Sequence, residues 1–110
     1  MGKAYISIRP YAISFLKRAR KYFEIIAFTA SDRSYADVIL NEIDLDNSLI
    51  DHRLYREHCV KLANNVYAKD LRIINRELSQ MILVDNSPIS YLYQLDNGVP
   101  ILPYYGGEDV

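Results

Sequence analysis

The chain has 110 residues, half of them hydrophobic, which is enough for one compact domain with one modest core and leaves no length for a second. A formal charge of -1 gives no global attraction to nucleic acid or to an anionic membrane surface, so no nucleic-acid partner is expected. A single cysteine, Cys59, excludes an internal disulfide and fits a reducing compartment, and no apolar run reaches the length of a membrane span.

In chain order, residues 4–8 alternate apolar and polar side chains and stop at Arg9-Pro10, which predicts a short strand. Pro10 suits a helix start, and Ile13, Leu16, Ala19 and Phe23 recur at spacings of three and four, so a helix is expected over 11–21. Residues 23–28 have almost no polar break and read as a strand buried on both faces, ending at Thr29-Ala30-Ser31. Ser31 or Asp32 can cap the next helix, which carries Tyr35, Val38, Ile39 and Ile43 until the polar run at Asp46-Asn47-Ser48. Residues 54–61 and 66–68 are β-prone pieces around an Asn64-Asn65 turn, and 71–78 reads as a brief helix. A second buried strand, 81–84, runs into Asp85-Asn86-Ser87-Pro88, and a last one, 99–102, follows Asn97-Gly98.

Strands alternating with helices argue for an α/β domain with a mainly parallel sheet, whose ligand sites gather beyond the carboxyl ends of the strands. Thr29-Ala30-Ser31 and Asp85-Asn86 occupy that position on two strands. Taken alone, Asp85-Asn86-Ser87-Pro88 is a turn after a strand and Lys69 a solvated lysine. His52 and His58 lack a partner at zinc-ligand spacing, and His58-Cys59 point to opposite sides of an extended chain. A packed thiol is the expectation for Cys59. Of ten tyrosines, Tyr91, Tyr93, Tyr104 and Tyr105 cluster late and are expected to cover the edge of the core.

The strings IRP, FTASDRSYAD, LYREHC, YAKDL, ELSQMILVDNSP and DNGVPI, in this order and spacing, resemble the small CTD phosphatases, also called NLI-interacting-factor-like phosphatases, of the haloacid dehalogenase superfamily. The resemblance covers the chain from Arg9 onward and implies a haloacid dehalogenase-like, Rossmann-like fold with a single domain over 1–110. It implies magnesium-dependent hydrolysis of phosphoserine or phosphothreonine in protein substrates through an aspartyl-phosphate. In that scheme Thr29 holds a phosphoryl oxygen and Lys69 is the catalytic cation. Asp85 and Asn86 are oxygen donors to Mg²⁺, while Ser31 and Arg56 contact substrate. Nuclear or nuclear and endoplasmic reticulum membrane localisation follows from the same resemblance.

One departure stands out. The family's first motif, two aspartates one residue apart after a central strand, should precede Arg9, and no aspartate lies there. Those residues are the nucleophile and the general acid, so hydrolysis by this chain alone is not expected. Asp44-Leu45-Asp46-Asn47-Ser48-Leu49 mimics that motif, but it ends a helix instead of following a strand. The expectation is therefore a partial domain lacking the first-motif strand. Its sheet would be completed by a longer parent polypeptide or by a rearranged or exchanged strand such as 4–8, the latter giving a homo-oligomer. The alternative is an inactive family member that binds phosphopeptides or proteins.

Overall fold

A computed structural model of the chain describes residues 9–103, so the predicted strand over 4–8 and Tyr104 and Tyr105 lie outside the described residues. Helix α1 spans Ala12–Ala19, somewhat shorter than the predicted 11–21. Tyr11 precedes it with φ at 67°, a left-handed turn that lets the chain enter the helix after Pro10. Strand β1, Ile26–Phe28, follows. Helix α2, Arg33–Ile43, begins at Asp32, whose carboxylate accepts from the Tyr35 N–H at 3.0 Å. Of the two proposed caps, Asp32 takes the role.

The run that resembles a first motif closes α2. Asp44 is 2 % exposed, and its two carboxylate oxygens accept from the N–H groups of Leu49 at 3.0 Å and Ile50 at 2.9 Å. Asp46 accepts from the Ser48 N–H and hydroxyl, around Asn47 at φ 58°. These carboxylates are consumed by backbone donors and the Ser48 hydroxyl after a helix, and neither lines any of the three cavities described below.

Strand β2, His52–Leu54, was not expected, and overlaps the β-prone piece over 54–61 only at Leu54. It pairs in parallel with β1, Ile26 opposite His52 and Phe28 opposite Leu54. Helix α2 is fastened to it. Arg53 donates to Asp37 at 2.9 Å, and the buried Tyr55 hydroxyl donates to the same oxygen at 2.6 Å. A 3-10 turn at Arg56–His58 separates β2 from an antiparallel hairpin, β3 Val60–Ala63 and β4 Val66–Ala68, whose turn uses Asn65 at φ 60° as expected. The predicted helix over 71–78 is instead two 3-10 turns, Leu71–Ile74 and Leu78–Gln80, divided by Asn75 at φ 61°.

Strand β5, Leu83–Asp85, pairs in parallel with β6, Gly98–Pro100. Between them the chain makes 3-10 turns at Pro88–Tyr91 and Leu95–Asn97. The described residues thus form an α/β arrangement of two parallel pairs and one antiparallel pair, where one mainly parallel sheet was expected. Nor are β1 and β5 buried on both faces: β1 is half-buried throughout, and Val84 of β5 is exposed. The reason lies between them. No described strand pairs with the second edge of either, and both border an apolar slot, with a cavity of about 810 Å³ on the α1 side and one of about 320 Å³ beside the 3-10 turns. Phe15, Phe23 and Ile82 face it.

Candidate functional site

The carboxyl ends of β1 and β5 meet at a third cavity of about 250 Å³, open to solvent, which Thr29, Lys69, Asp85 and Asn86 all line. Four residues, the outermost fifty-seven apart in sequence, are therefore brought together, as strand-end geometry requires.

Thr29 directly follows β1, and its N–H continues the ladder to the Leu54 carbonyl at 3.0 Å. Its hydroxyl oxygen accepts from the Ser31 N–H at 3.1 Å, which tightens the turn away from the strand. Lys69 has no regular structure of its own. It lies between β4 and the Leu71–Ile74 turn, yet is only 7 % exposed, and its N–H donates to the Ser90 carbonyl at 2.7 Å. The Lys69 ammonium donates to Oδ2 of Asp85 and sits 5.8 Å from the centre of the Phe28 ring. Asp85 ends β5, and its Oδ1 accepts from the Ser87 N–H at 2.9 Å. A buried carboxylate is thereby satisfied by one ammonium and one backbone donor, the condition for keeping charge away from water. Asn86 beside it is exposed.

Ser31 and Arg56 do not line this cavity. They form a brace beside it: the Arg56 Nε donates to the Ala30 carbonyl at 2.8 Å, the Arg56 N–H donates to the Ser31 carbonyl at 3.0 Å, and its guanidinium stands 5.5 Å from the Tyr67 ring centre. Arg9 does line the cavity, and its Nη1 donates to the Leu102 carbonyl at 2.8 Å. Arg9 belongs to the IRP string, where no role was expected of it. The signal available was a cation immediately before a proline that starts a helix, at the mouth of an α/β unit.

Cys59 is half-buried, with Sγ 3.8 Å from the Thr29 carbonyl, and burial pushes its thiol up from the ordinary value. His58 spends its Nδ1 accepting from the Tyr55 N–H at 2.9 Å. Among the described residues no cluster of three or more His, Cys, Asp or Glu side chains could by itself hold a metal ion. The oxygen atoms of Asp85 and Asn86 are of the kind a hard divalent cation takes, with its remaining positions filled from water or an anionic ligand. The cavity is lined by two cations, Arg9 and Lys69, together with the Thr29 hydroxyl and the Asp85 carboxylate.

A family model, the NLI interacting factor-like phosphatase, matches residues 1–110. The chain is 45 % identical over 103 residues to CTD small phosphatase-like protein 3 of Caenorhabditis elegans, covering 94 % of the chain and 36 % of that protein. It is 41 % identical over 103 residues to the human CTD small phosphatase-like protein, covering 94 % and 37 %. It is 39 % identical over 97 residues to nuclear envelope morphology protein 1 of Schizosaccharomyces pombe, covering 88 % and 20 %. The chain belongs to the NLI interacting factor-like phosphatase family. It spans little more than a third, or less, of the length of these relatives.

Proposed function

We propose that this chain supplies the phosphate-holding part of a magnesium-dependent protein serine/threonine phosphatase with the haloacid dehalogenase-like fold. The single observation that carries the reading is the convergence of Thr29, Lys69, Asp85 and Asn86 on one cavity, in a member of a phosphatase family. Thr29 and the N–H groups after it receive one phosphoryl oxygen. The Lys69 ammonium offsets the negative charge that builds up during transfer. Asp85 and Asn86 are the residues that would hold Mg²⁺, which when bound would draw charge from the phosphate oxygens. Ser31 and Arg56 stand further out, where the remainder of a phosphoserine or phosphothreonine peptide would lie. The fission yeast relative's name supports a place at the nucleus or its envelope, and no described helix is long and apolar enough to cross a membrane.

Among the described residues, Asp85 is the one carboxylate lining the cavity, and it is committed to Lys69 and Ser87. An aspartyl-phosphate needs a second, free carboxylate facing the phosphorus, and its leaving oxygen needs an acid. That observation favours a second reading for the chain acting alone: it binds phosphorylated peptide without hydrolysing it. Titration calorimetry with a phosphoserine peptide, with and without Mg²⁺, tests both. Binding that needs Mg²⁺ and is lost in Thr29→Val and Lys69→Met is the expected result. Magnesium-dependent turnover of p-nitrophenyl phosphate by the pure chain would overturn the binding-only reading, and absence of any phosphate affinity would overturn the assignment of the site.

A further inference from the structure

We propose that Gln94 is a positioning residue that fixes the Lys69 ammonium at the cavity, an inference that rests on the reading of Lys69 as the phosphate-facing cation. Lys69 stands on irregular backbone, and a lysine side chain has four rotatable bonds, so its burial and its aim at Asp85 need an external hold. One stretch of chain provides it. The Ser90 carbonyl takes the Lys69 N–H at 2.7 Å. Two residues further along, the Leu71 N–H donates to Gln94 Oε1 at 2.8 Å. Between them, Asp70 accepts from Gln94 Nε2 at 2.9 Å, and from Arg72 Nε at 3.0 Å and Nη2 at 2.7 Å.

The chemistry admits one orientation of the amide. Its carbonyl must face the Leu71 N–H and its NH₂ must face the Asp70 carboxylate, because the flipped group would set donor against donor and acceptor against acceptor. Gln94 is 8 % exposed, so water is poorly placed to substitute at either end. The stretch that contributes Ser90 and Gln94 runs on from Asp85, the last residue of β5, through Asn86. The segment that offers the carboxylate to Lys69 thus also grips the backbone on which Lys69 stands.

Two measurements test this. Hydrogen exchange reads the Leu71 amide, and limited acylation with an amine reagent, followed by mass spectrometry, reads each lysine. In the unaltered chain the Leu71 amide is expected to be protected. In Gln94→Leu it should exchange freely, and Lys69 acylation should rise about fivefold, the equivalent of one ordinary net hydrogen bond, while Lys17, Lys21 and Lys61 keep their rates. Inorganic phosphate affinity should weaken by a similar factor. Gln94→Glu keeps the acceptor for Leu71 but sets a second carboxylate against Asp70, and should fall between the two. General destabilisation would raise acylation at every lysine alike. An unprotected Leu71 amide in the unaltered chain overturns the proposal even where a variant does not fold, as does a folded Gln94→Leu with unchanged Lys69 acylation. If Lys69 responds but the unaltered chain binds no inorganic phosphate, the positioning stands and the phosphate reading of the cavity fails.

Discussion

The ammonium of Lys69 donates to Oδ2 of Asp85 across sixteen residues of sequence, and both side chains are withdrawn from water. Such a pair holds its place because each charge answers the other. Removing one partner leaves the second buried and uncompensated, so Lys69→Met is expected to destabilise the chain by about 3–5 kcal/mol. The double change Lys69→Met with Asp85→Leu removes both charges and should recover most of that loss. Urea unfolding of the two variants measures the difference. Equal stabilities would mean that the pair is not energetically coupled.

Asp44 tests the capping role of the run that imitates a catalytic motif. Asp44→Ala strands the Leu49 and Ile50 N–H groups, at about 1–3 kcal/mol for each buried donor left without an acceptor. A fall of roughly 2–4 kcal/mol in unfolding free energy is expected, with phosphopeptide affinity retained in whatever fraction stays folded. Asp44→Asn, which keeps one acceptor oxygen, should lose about half as much.

Gly98 is a close-approach glycine. A Cβ built there would lie 2.5 Å from Cγ of Tyr91 and 2.6 Å from Cδ2, so the ring must move for any larger residue to fit. Gly98→Ala should cost about 1–3 kcal/mol through overpacking, and it acts at the start of β6, where the β5 pairing begins. Tyr91→Ala should make the same substitution nearly harmless. Melting temperatures of the two single variants and the double variant check that coupling.

Acid should unfold the chain. The Arg72 guanidinium, helped by the Gln94 amide and the Arg72 N–H, holds the Asp70 carboxyl far below the usual carboxylate range. Asp37 moves the same way through the Tyr55 hydroxyl and then Arg53, and Asp51 through the Ile25 N–H and then Arg20. In each case the unfolded chain takes up its proton first, near pH 4. The stability these groups contribute is therefore complete above that value and is lost as pH falls from about 4 towards 2. Circular dichroism along an acid titration should show unfolding in that window, and Asp70→Asn should flatten the dependence.

Much of the architecture was legible because it is written in local patterns. The three- and four-residue spacing of Ile13, Leu16 and Ala19 marks α1, and Asp32 and Asn65 mark a helix start and a hairpin turn. Strand β2 was hidden, since His52-Arg53-Leu54 carries no run of buried apolar side chains. Its strand geometry comes from pairing with the edge of β1, which no local pattern reports. The cavity was hidden in the same sense. Nothing in the neighbours of Lys69 announces burial or an ion pair, because both arise from Ser90, Gln94 and Asp85, supplied by a later part of the chain. Resemblance of motifs pointed to Lys69 and Asp85 where physical periodicity could not, and gave no role to Ser90 or Gln94. Arg9 was given a role by neither; it lines the cavity from just before α1, with its Nη1 donating to the Leu102 carbonyl.

The slot between β1 and β5 affects how the chain responds to temperature. Phe15, Phe23 and Ile82 are 60 %, 55 % and 61 % exposed in the folded state, so their hydration shells largely exist before unfolding begins. The heat-capacity increment of unfolding follows newly hydrated apolar area and averages about 12–15 cal/mol/K per residue. This chain should fall below that average in scanning calorimetry. A smaller increment flattens the stability curve, so cooling should erode its stability less than it erodes that of a fully packed domain with the same melting point.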